Sequence, residues 1–187
     1  GEILLLSEYG LDAQPFDTSG KSRVDWKDST IRKWLNDDFY NSAFSEKEKE
    51  NIVESKSEGF EEYNTSMNLT GGGKPYAYLE REIEDKVFLL SNTELCAYFS
   101  EDPYPGCYSD PYAHKELLCY PTAYAKQQLE TRYQTETCGW WLCNHVYEDD
   151  SVELVSAYGQ GSGTSRENIK ANTKSIAVRP AMWVTWQ

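Results

Sequence analysis

The sequence predicts an α+β domain with a small twisted antiparallel sheet. Three observations support this class: helical apolar spacing near the beginning of the chain, runs of β-branched and aromatic residues near its end, and long turn-rich stretches between them. At 187 residues the chain is close to the size at which one core forms without division. We therefore expect one domain over residues 1–187.

Two helices are predicted in the first third. In "DWKDSTIRKWLNDDF", Asp28 or Ser29 can act as the N-cap and Asn36 can end the helix. Between them, apolar residues recur at helical spacing: Ile31, Trp34 and Leu35. The second helix begins at the capping box Ser45-x-x-Glu48 and is expected to run towards Ile52.

The middle of the chain alternates loops and short elements. Residues 54–84 contain "LTGGGKP" and predict a long surface loop, whose glycines lack the spacing of a phosphate-binding loop. "DKVFLLS" predicts a buried strand, and Ser91-x-x-Glu94 begins another helix. Residues 100–121, rich in proline and tyrosine, predict a second irregular stretch, followed by a helical turn in "PTAYAKQQL".

The last third predicts strands in "GWWLCN", "SVELVSAYG" and "SIAVRPAMWVTW". Neighbouring residues of a strand point to opposite faces. One of Trp140 and Trp141 is therefore expected in the core, and the other under or beside the loops. The core is expected to unite one tryptophan with Ile31, Trp34, Leu35, Phe88, Leu90 and Val178.

Charge and hydropathy exclude several partners. Eighteen basic and 31 acidic side chains give a formal net charge of -13, which repels nucleic acid and anionic lipid. No apolar run approaches the roughly 20 residues that a membrane span needs, so no membrane insertion by this chain is expected. Because the sequence opens directly on the apolar run "ILLLS", we expect a preceding N-terminal segment in the full-length protein.

Five cysteines leave at least one outside any intrachain bridge. They form no C-x-x-C pair, and His114 and His145 complete no zinc-like pattern with them, so no metal site is expected and most should be buried reduced thiols. Cys138 and Cys143 flank the tryptophan pair. In a straight strand they would lie roughly 16 Å apart, too far for a disulfide or a shared copper ion, unless the chain bends at Gly139.

Five blocks resemble, in order and spacing, a family of bacterial domains of unknown function common in anaerobic Gram-positive gut bacteria. They are "DSTIRKWLNDDFYNSAFSEKEKENI", "DKVFLLSNTEL", "YPTAYAK", "GWWLCN" and "AVRPAMWV". The resemblance implies a C-type-lectin-like fold, in which two main helices flank a small sheet and long loops carry the function. This fold is shared with formylglycine-generating enzymes and with retroelement variable proteins. The family pattern W-W-L-R-S-P is replaced here by Cys143-Asn144-His145 after the tryptophans.

The favoured interpretation is a non-enzymatic binding module of a bacterial surface or secreted protein, because fourteen tyrosines and six tryptophans suit recognition loops. No catalytic residue and no cofactor is expected, and the partner is a protein or carbohydrate. Calcium-dependent sugar binding is not expected, since the carboxylate and amide pattern that chelates the ion is missing. The predicted ligand contacts lie at 102–112 and 144–151 or beside them: Tyr104, Tyr108, Tyr112, Trp141, Asn144, His145 and Tyr147. Structural roles are predicted for Trp34, Trp140 and Arg179, whose guanidinium would hold loop carbonyls or a carboxylate.

Two alternatives stay open. Cys138-x-x-x-x-Cys143 has the spacing of the copper-binding cysteines of formylglycine-generating enzymes, so the resemblance allows a copper oxidase. A structural display domain in a larger surface protein is the other. An extracellular or cell-surface location suits the acidic, tyrosine-rich loops, while the odd cysteine count also fits the cytoplasm.

Overall fold

A computed structural model describes residues 1–21, 24–56, 83–99, 115–130, 135–145, 151–160 and 169–186. These residues form a mixed α/β structure with few helices and small, mainly antiparallel sheets. The largest sheet has the order β1-β9-β3, formed by Glu2–Leu6, Ala181–Thr185 and Ile52–Val53. Both neighbours of β9 are antiparallel to it, and Ile3 and Ile52 both lie opposite Val184. The two ends of the described chain therefore meet in one sheet.

Three two-stranded sheets complete the β structure. Tyr9–Gly10 (β2) and Tyr120–Pro121 (β6) are parallel. Ser55–Lys56 (β4) and Glu84–Asp85 (β5) are antiparallel, as are Trp140–His145 (β7) and Val152–Val155 (β8). The strands predicted in the last third are thus confirmed, although β7 and β8 form one small sheet and β9 lies in another.

The first helix is longer than predicted. Ser29 is its N-cap, as expected, and its hydroxyl accepts a hydrogen bond from the Arg32 backbone N–H. The α-helix Thr30–Trp34 (α1) continues through a π-helical turn, Leu35–Phe39, into Tyr40–Ala43 (α2). The prediction that Asn36 ends the helix is wrong, because its side-chain amide is used in tertiary hydrogen bonds instead of a helix cap.

The other helices begin where the capping residues predict. Glu46–Lys49 (α3) follows Ser45, whose capping box with Glu48 is complete. This helix is shorter than expected, because Ile52 pairs with β9 as part of β3. Asn92–Phe99 (α4) and Ala123–Gln128 (α5) are confirmed. One-turn 3₁₀ helices lie at Trp26–Asp28 and Lys115–Leu117.

The segment after β5 is buried, but it is not the regular strand that "DKVFLLS" predicts. Phe88 makes a single antiparallel bridge to Ala181. The Asn36 side chain accepts from the N–H groups of Lys86 and Val87 and donates to the Val87 carbonyl at 2.9 Å. A helix side chain thereby satisfies backbone groups that a neighbouring strand would otherwise pair.

One hydrophobic cluster connects these elements. It contains the predicted core residues Ile31, Leu35, Phe88, Leu90 and Val178, together with both Trp140 and Trp141. Trp34 is only half-buried and packs against the cluster from outside, so its expected place inside the core is corrected. The assignment of residues 1–187 to one domain stays a prediction.

Candidate functional site

The paired tryptophans are both core residues. Trp140 and Trp141 are each fully buried, so the prediction that only one of the two rings enters the core is corrected. Their side chains do point to opposite faces of β7, but both faces are covered. Trp140 Nε1 donates to the Leu117 carbonyl at 3.0 Å, and Trp141 Nε1 donates to the Gln14 carbonyl at 3.0 Å. Trp141 therefore presents no surface to a ligand.

Arg179 lies on the Trp140 side of the strand. Its guanidinium carbon is 4.9 Å from the centre of the Trp140 ring, and Nε donates to the carbonyl of Ser7 at 2.7 Å. The side chain is buried, and Nη1 has no hydrogen-bond partner among the described residues. Burial lowers the pKa of Arg179, although the nearby Cys119 and Cys138 thiols and Glu8 oppose that shift.

A small open cleft lies at Gln14, the residue whose carbonyl accepts the hydrogen bond from Trp141. It has a volume of about 150 Å³ and is lined by Gln14, Pro15, Thr18, Thr30, Ile31 and Trp34. The cleft thus lies between the segment after β2 and the beginning of α1. Its lining combines one half-buried indole ring with amide and hydroxyl groups.

The walls of this cleft are held in place by hydrogen bonds. Asp17 is buried, and its carboxylate accepts from the Thr30 N–H at 3.2 Å and from the Ser19 N–H at 2.8 Å. The Thr18 N–H donates to the Thr30 hydroxyl at 3.1 Å. Trp34 packs against Phe39, with ring centres 5.3 Å apart. The cleft is therefore preformed between the chain before α1 and the helix itself.

Sequence reasoning missed most of this cleft. Gln14, Pro15 and Thr18 carry no local motif, and the sequence predicts only a structural role for Trp34. The available signal was the polar "QPFDTS" segment, which precedes the helix without predicting a regular element of its own. Only the fold places it beside Trp34.

Most of the predicted ligand contacts lie outside the described residues. Tyr104, Tyr108, Tyr112 and Tyr147 lie outside the described residues. His145 is the last residue of β7, but the structure describes its backbone only. Asn144 is half-buried, and its Oδ1 is 3.9 Å from the sulfur of Cys143. The structure therefore does not bring these residues into one described surface.

Three cysteines are buried thiols that form no disulfide: Cys119, Cys138 and Cys143. The neighbour of Cys138 is Cys119, since the Cys138 N–H donates to the Cys119 carbonyl at 2.8 Å. In the sequence, by contrast, the cysteine closest to Cys138 is Cys143. Within the described ranges, no three His, Cys, Asp or Glu side chains form a group able to hold a metal ion.

Comparison with known proteins gives a family and nothing more specific. The family model of a domain of unknown function, DUF6273, matches residues 1–186. No curated protein matches the chain, and no solved structure matches it. Among the described residues, no helix is long and apolar enough to cross a membrane.

Proposed function

Since the chain belongs to the DUF6273 family of domains of unknown function, we propose from the site alone that it is a non-enzymatic binding module. The ligand is a neutral glycan, and the cleft at Trp34 forms part of the binding surface. The observation that carries this proposal is the lining of the cleft: one partly exposed indole ring beside amide and hydroxyl groups. A protein ligand is the other outcome of the test below.

The chemistry of the lining favours binding over catalysis. The six residues around the cleft include no acid, base or thiol that could transfer a proton, attack a substrate or hold a metal ion. They offer instead two threonine hydroxyls, one amide and an aromatic face. Hydroxyls and amides both donate and accept hydrogen bonds, as sugar hydroxyls require, while an indole face can cover the apolar face of a sugar ring.

The electrostatics of the chain also favour an uncharged ligand. A formal net charge of -13 disfavours acidic sugars, phosphates and nucleic acid. None of the six residues that line the cleft is charged, so the lining offers no ion pair to a charged ligand. A volume of about 150 Å³ is smaller than a usual drug site, so the cleft would hold one part of a ligand that continues beyond it.

The finer fold assignment belongs to the same proposal. A C-type-lectin-like arrangement would combine helices, small antiparallel sheets and long connecting loops, and the described part of the chain has the first two of these. In that arrangement the aromatic loops at 102–112 and 144–151 would extend the surface. A bacterial protein at the cell surface or secreted would be the setting for such a module.

The test is a glycan array, followed by calorimetric titration of each hit against the wild-type protein and two cleft variants. Thr18→Val removes a hydroxyl from the cleft, and Trp34→Ala removes the ring. We expect each to weaken binding about tenfold or more, equivalent to about 1.4 kcal/mol. Trp186→Ala is the matched control, because Trp186 is an exposed tryptophan that does not line the cleft.

A second set of variants separates the cleft from the predicted loops. Combined replacement of Tyr104, Tyr108 and Tyr112 should weaken binding while the Tm stays nearly unchanged. If a glycan bound with the same affinity to the wild type and to both cleft variants, the proposal that the cleft contributes to binding would be refuted. Capture of a protein from surface extracts, with a silent array, would replace the glycan by a protein ligand.

A further inference from the structure

Two buried cysteines that are distant in the sequence lie side by side. Cys119 precedes β6 and Cys138 precedes β7, and both are fully buried. The Cys138 N–H donates to the Cys119 carbonyl at 2.8 Å, and the Cys138 sulfur lies 3.5 Å from the same oxygen. Neither residue lies in a strand, so this one backbone hydrogen bond and the contact of the Cys138 sulfur with the same carbonyl are what bring the two residues together.

Gly10 shows that the two sulfurs face the same point. A Cβ atom added to Gly10 would lie 3.4 Å from the Cys119 sulfur and 3.4 Å from the Cys138 sulfur. Both side chains therefore point into one space beside Gly10 in β2.

The electrostatic surroundings make the two thiols unequal. The hydrogen bond from Cys138 lowers the pKa of Cys119, and the Arg179 guanidinium lowers it further, against the effect of burial. The hydrogen bond to Cys119 and burial both raise the pKa of Cys138. Cys119 is thus the thiol of the pair that loses its proton more readily, and it is the one that acts as the nucleophile.

We propose that Cys119 and Cys138 form a disulfide when the protein meets a small-molecule disulfide such as oxidised glutathione. The Cys119 thiolate attacks one sulfur of the oxidant, and one glutathione thiolate leaves. Cys138 then gives up its proton and attacks the Cys119 sulfur of the mixed disulfide, which expels the second glutathione. The two cysteines lose two electrons and two protons, and the oxidant becomes two glutathione thiols.

The bond would close a loop over 19 positions that contains α5 and would fasten β6 to the beginning of β7. A loop of this length constrains the unfolded chain enough to raise the Tm by about 5–10 °C in a domain of this size. Oxidation would also remove the Cys119 thiol that lies near Arg179. The disulfide is independent of the proposed glycan binding, since none of its residues lines the cleft.

The experiment equilibrates the full chain with mixtures of reduced and oxidised glutathione, once in the native state and once after unfolding and refolding in the same mixtures. Both arms are needed because native thiols that are fully buried exchange only when the structure opens. Remaining thiols are trapped with acid, alkylated after denaturation and mapped by mass spectrometry. Trypsin leaves Cys138 and Cys143 on one peptide, because no Lys or Arg lies between them, so chymotrypsin is used to cleave at Trp140 and Trp141.

We expect a cross-linked peptide pair that joins Cys119 to Cys138 and is lighter by two hydrogen atoms than its reduced parts. Cys143→Ser is the matched control, since it removes a third buried thiol and should leave both the cross-link and the Tm rise intact. Cys119→Ser should abolish both. Full alkylation of Cys119 and Cys138 in wild type at every glutathione ratio, in both arms, would overturn the proposal. A bond from Cys138 to Cys143, Cys96 or Cys107 would overturn it equally.

Discussion

Replacement of Asp85 by alanine should destabilise the fold more than its position in a two-residue strand would indicate. The Asp85 carboxylate is only 6 % exposed and accepts three hydrogen bonds from the first helical region. Trp26 Nε1 donates at 2.8 Å, Arg32 Nε at 2.7 Å and Asn36 Nδ2 at 3.2 Å. The Asp85 side chain thus fixes β5 to the 3₁₀ helix at Trp26–Asp28 and to the helix that follows it.

The magnitude follows from what each donor can do after the carboxylate is removed. A hydrogen bond to a charged group contributes about 1.5–3 kcal/mol, but three such bonds do not simply add. Without the carboxylate, Arg32 would still donate to the Lys27 carbonyl at 3.2 Å and Asn36 to the Val87 carbonyl at 2.9 Å, whereas the buried Trp26 Nε1–H has no other partner among the described residues. We therefore expect a loss of about 3–5 kcal/mol in the free energy of unfolding, the range for breaking a buried pair from one side.

Urea denaturation of wild type and Asp85→Ala, compared at an unchanged m-value, measures this loss. Glu54→Gln is the matched control, because the Glu54 to Lys86 ion pair of 3.5 Å is solvent-exposed on both sides. Exposed pairs contribute about 0–1 kcal/mol, so this variant should unfold almost like wild type. If Asp85→Ala lost less than about 1 kcal/mol, the assignment of Asp85 as the connection between helix and sheet segment would be refuted.

Three further changes test other parts of the structure. Gly10→Ala should lower the free energy of unfolding by about 1–3 kcal/mol, because its new Cβ would lie 2.8 Å from the Ala177 Cβ; unchanged urea stability would contradict that close approach. Trp34→Ala should cost about 1–3 kcal/mol in the same measurement, less than the roughly 3–5 kcal/mol of a fully buried ring, since Trp34 is half-buried. Hydrogen bonds from the Ser45 side chain and then its backbone N–H lower the pKa of Glu48 from 4.5, so its contribution to stability is present above that value and is lost as pH falls through the lower folded pKa. An NMR titration of Glu48 should give a midpoint below 4.5 that moves back towards it in Ser45→Ala, and equal midpoints in both proteins would exclude the capping effect.

Local signals in the sequence determined the elements whose formation depends on near neighbours. Ser29, Ser45 and Ser91 begin helices as predicted, because an N-cap is satisfied by a backbone N–H only a few residues away. The strand at Trp140–His145 was also predictable from its apolar and aromatic run. The resemblance to a family of domains of unknown function was confirmed by the family model, which matches residues 1–186.

Elements that depend on distant partners could not be placed in this way. The sequence predicts that Asn36 ends a helix. Its side-chain amide instead donates to the Asp85 carboxylate and the Val87 carbonyl, about fifty positions away. For the same reason the "DKVFLLS" segment is buried without becoming a regular strand. A local pattern contains no information about which distant side chain will form a hydrogen bond with a given backbone group.

The cysteines and the tryptophans show what the sequence alone determined and what the tertiary structure decided. The spacing of Cys138 and Cys143 indicated that a strand would keep them far apart. The alternation of side chains along a strand indicated that Trp140 and Trp141 point to opposite faces. Spacing could not show that Cys119 would become the neighbour of Cys138, nor that both faces of β7 would be covered. Periodicity fixes the direction of a side chain relative to its own backbone, whereas burial and pairing depend on which other segments pack there, and only the assembled fold brings those segments together.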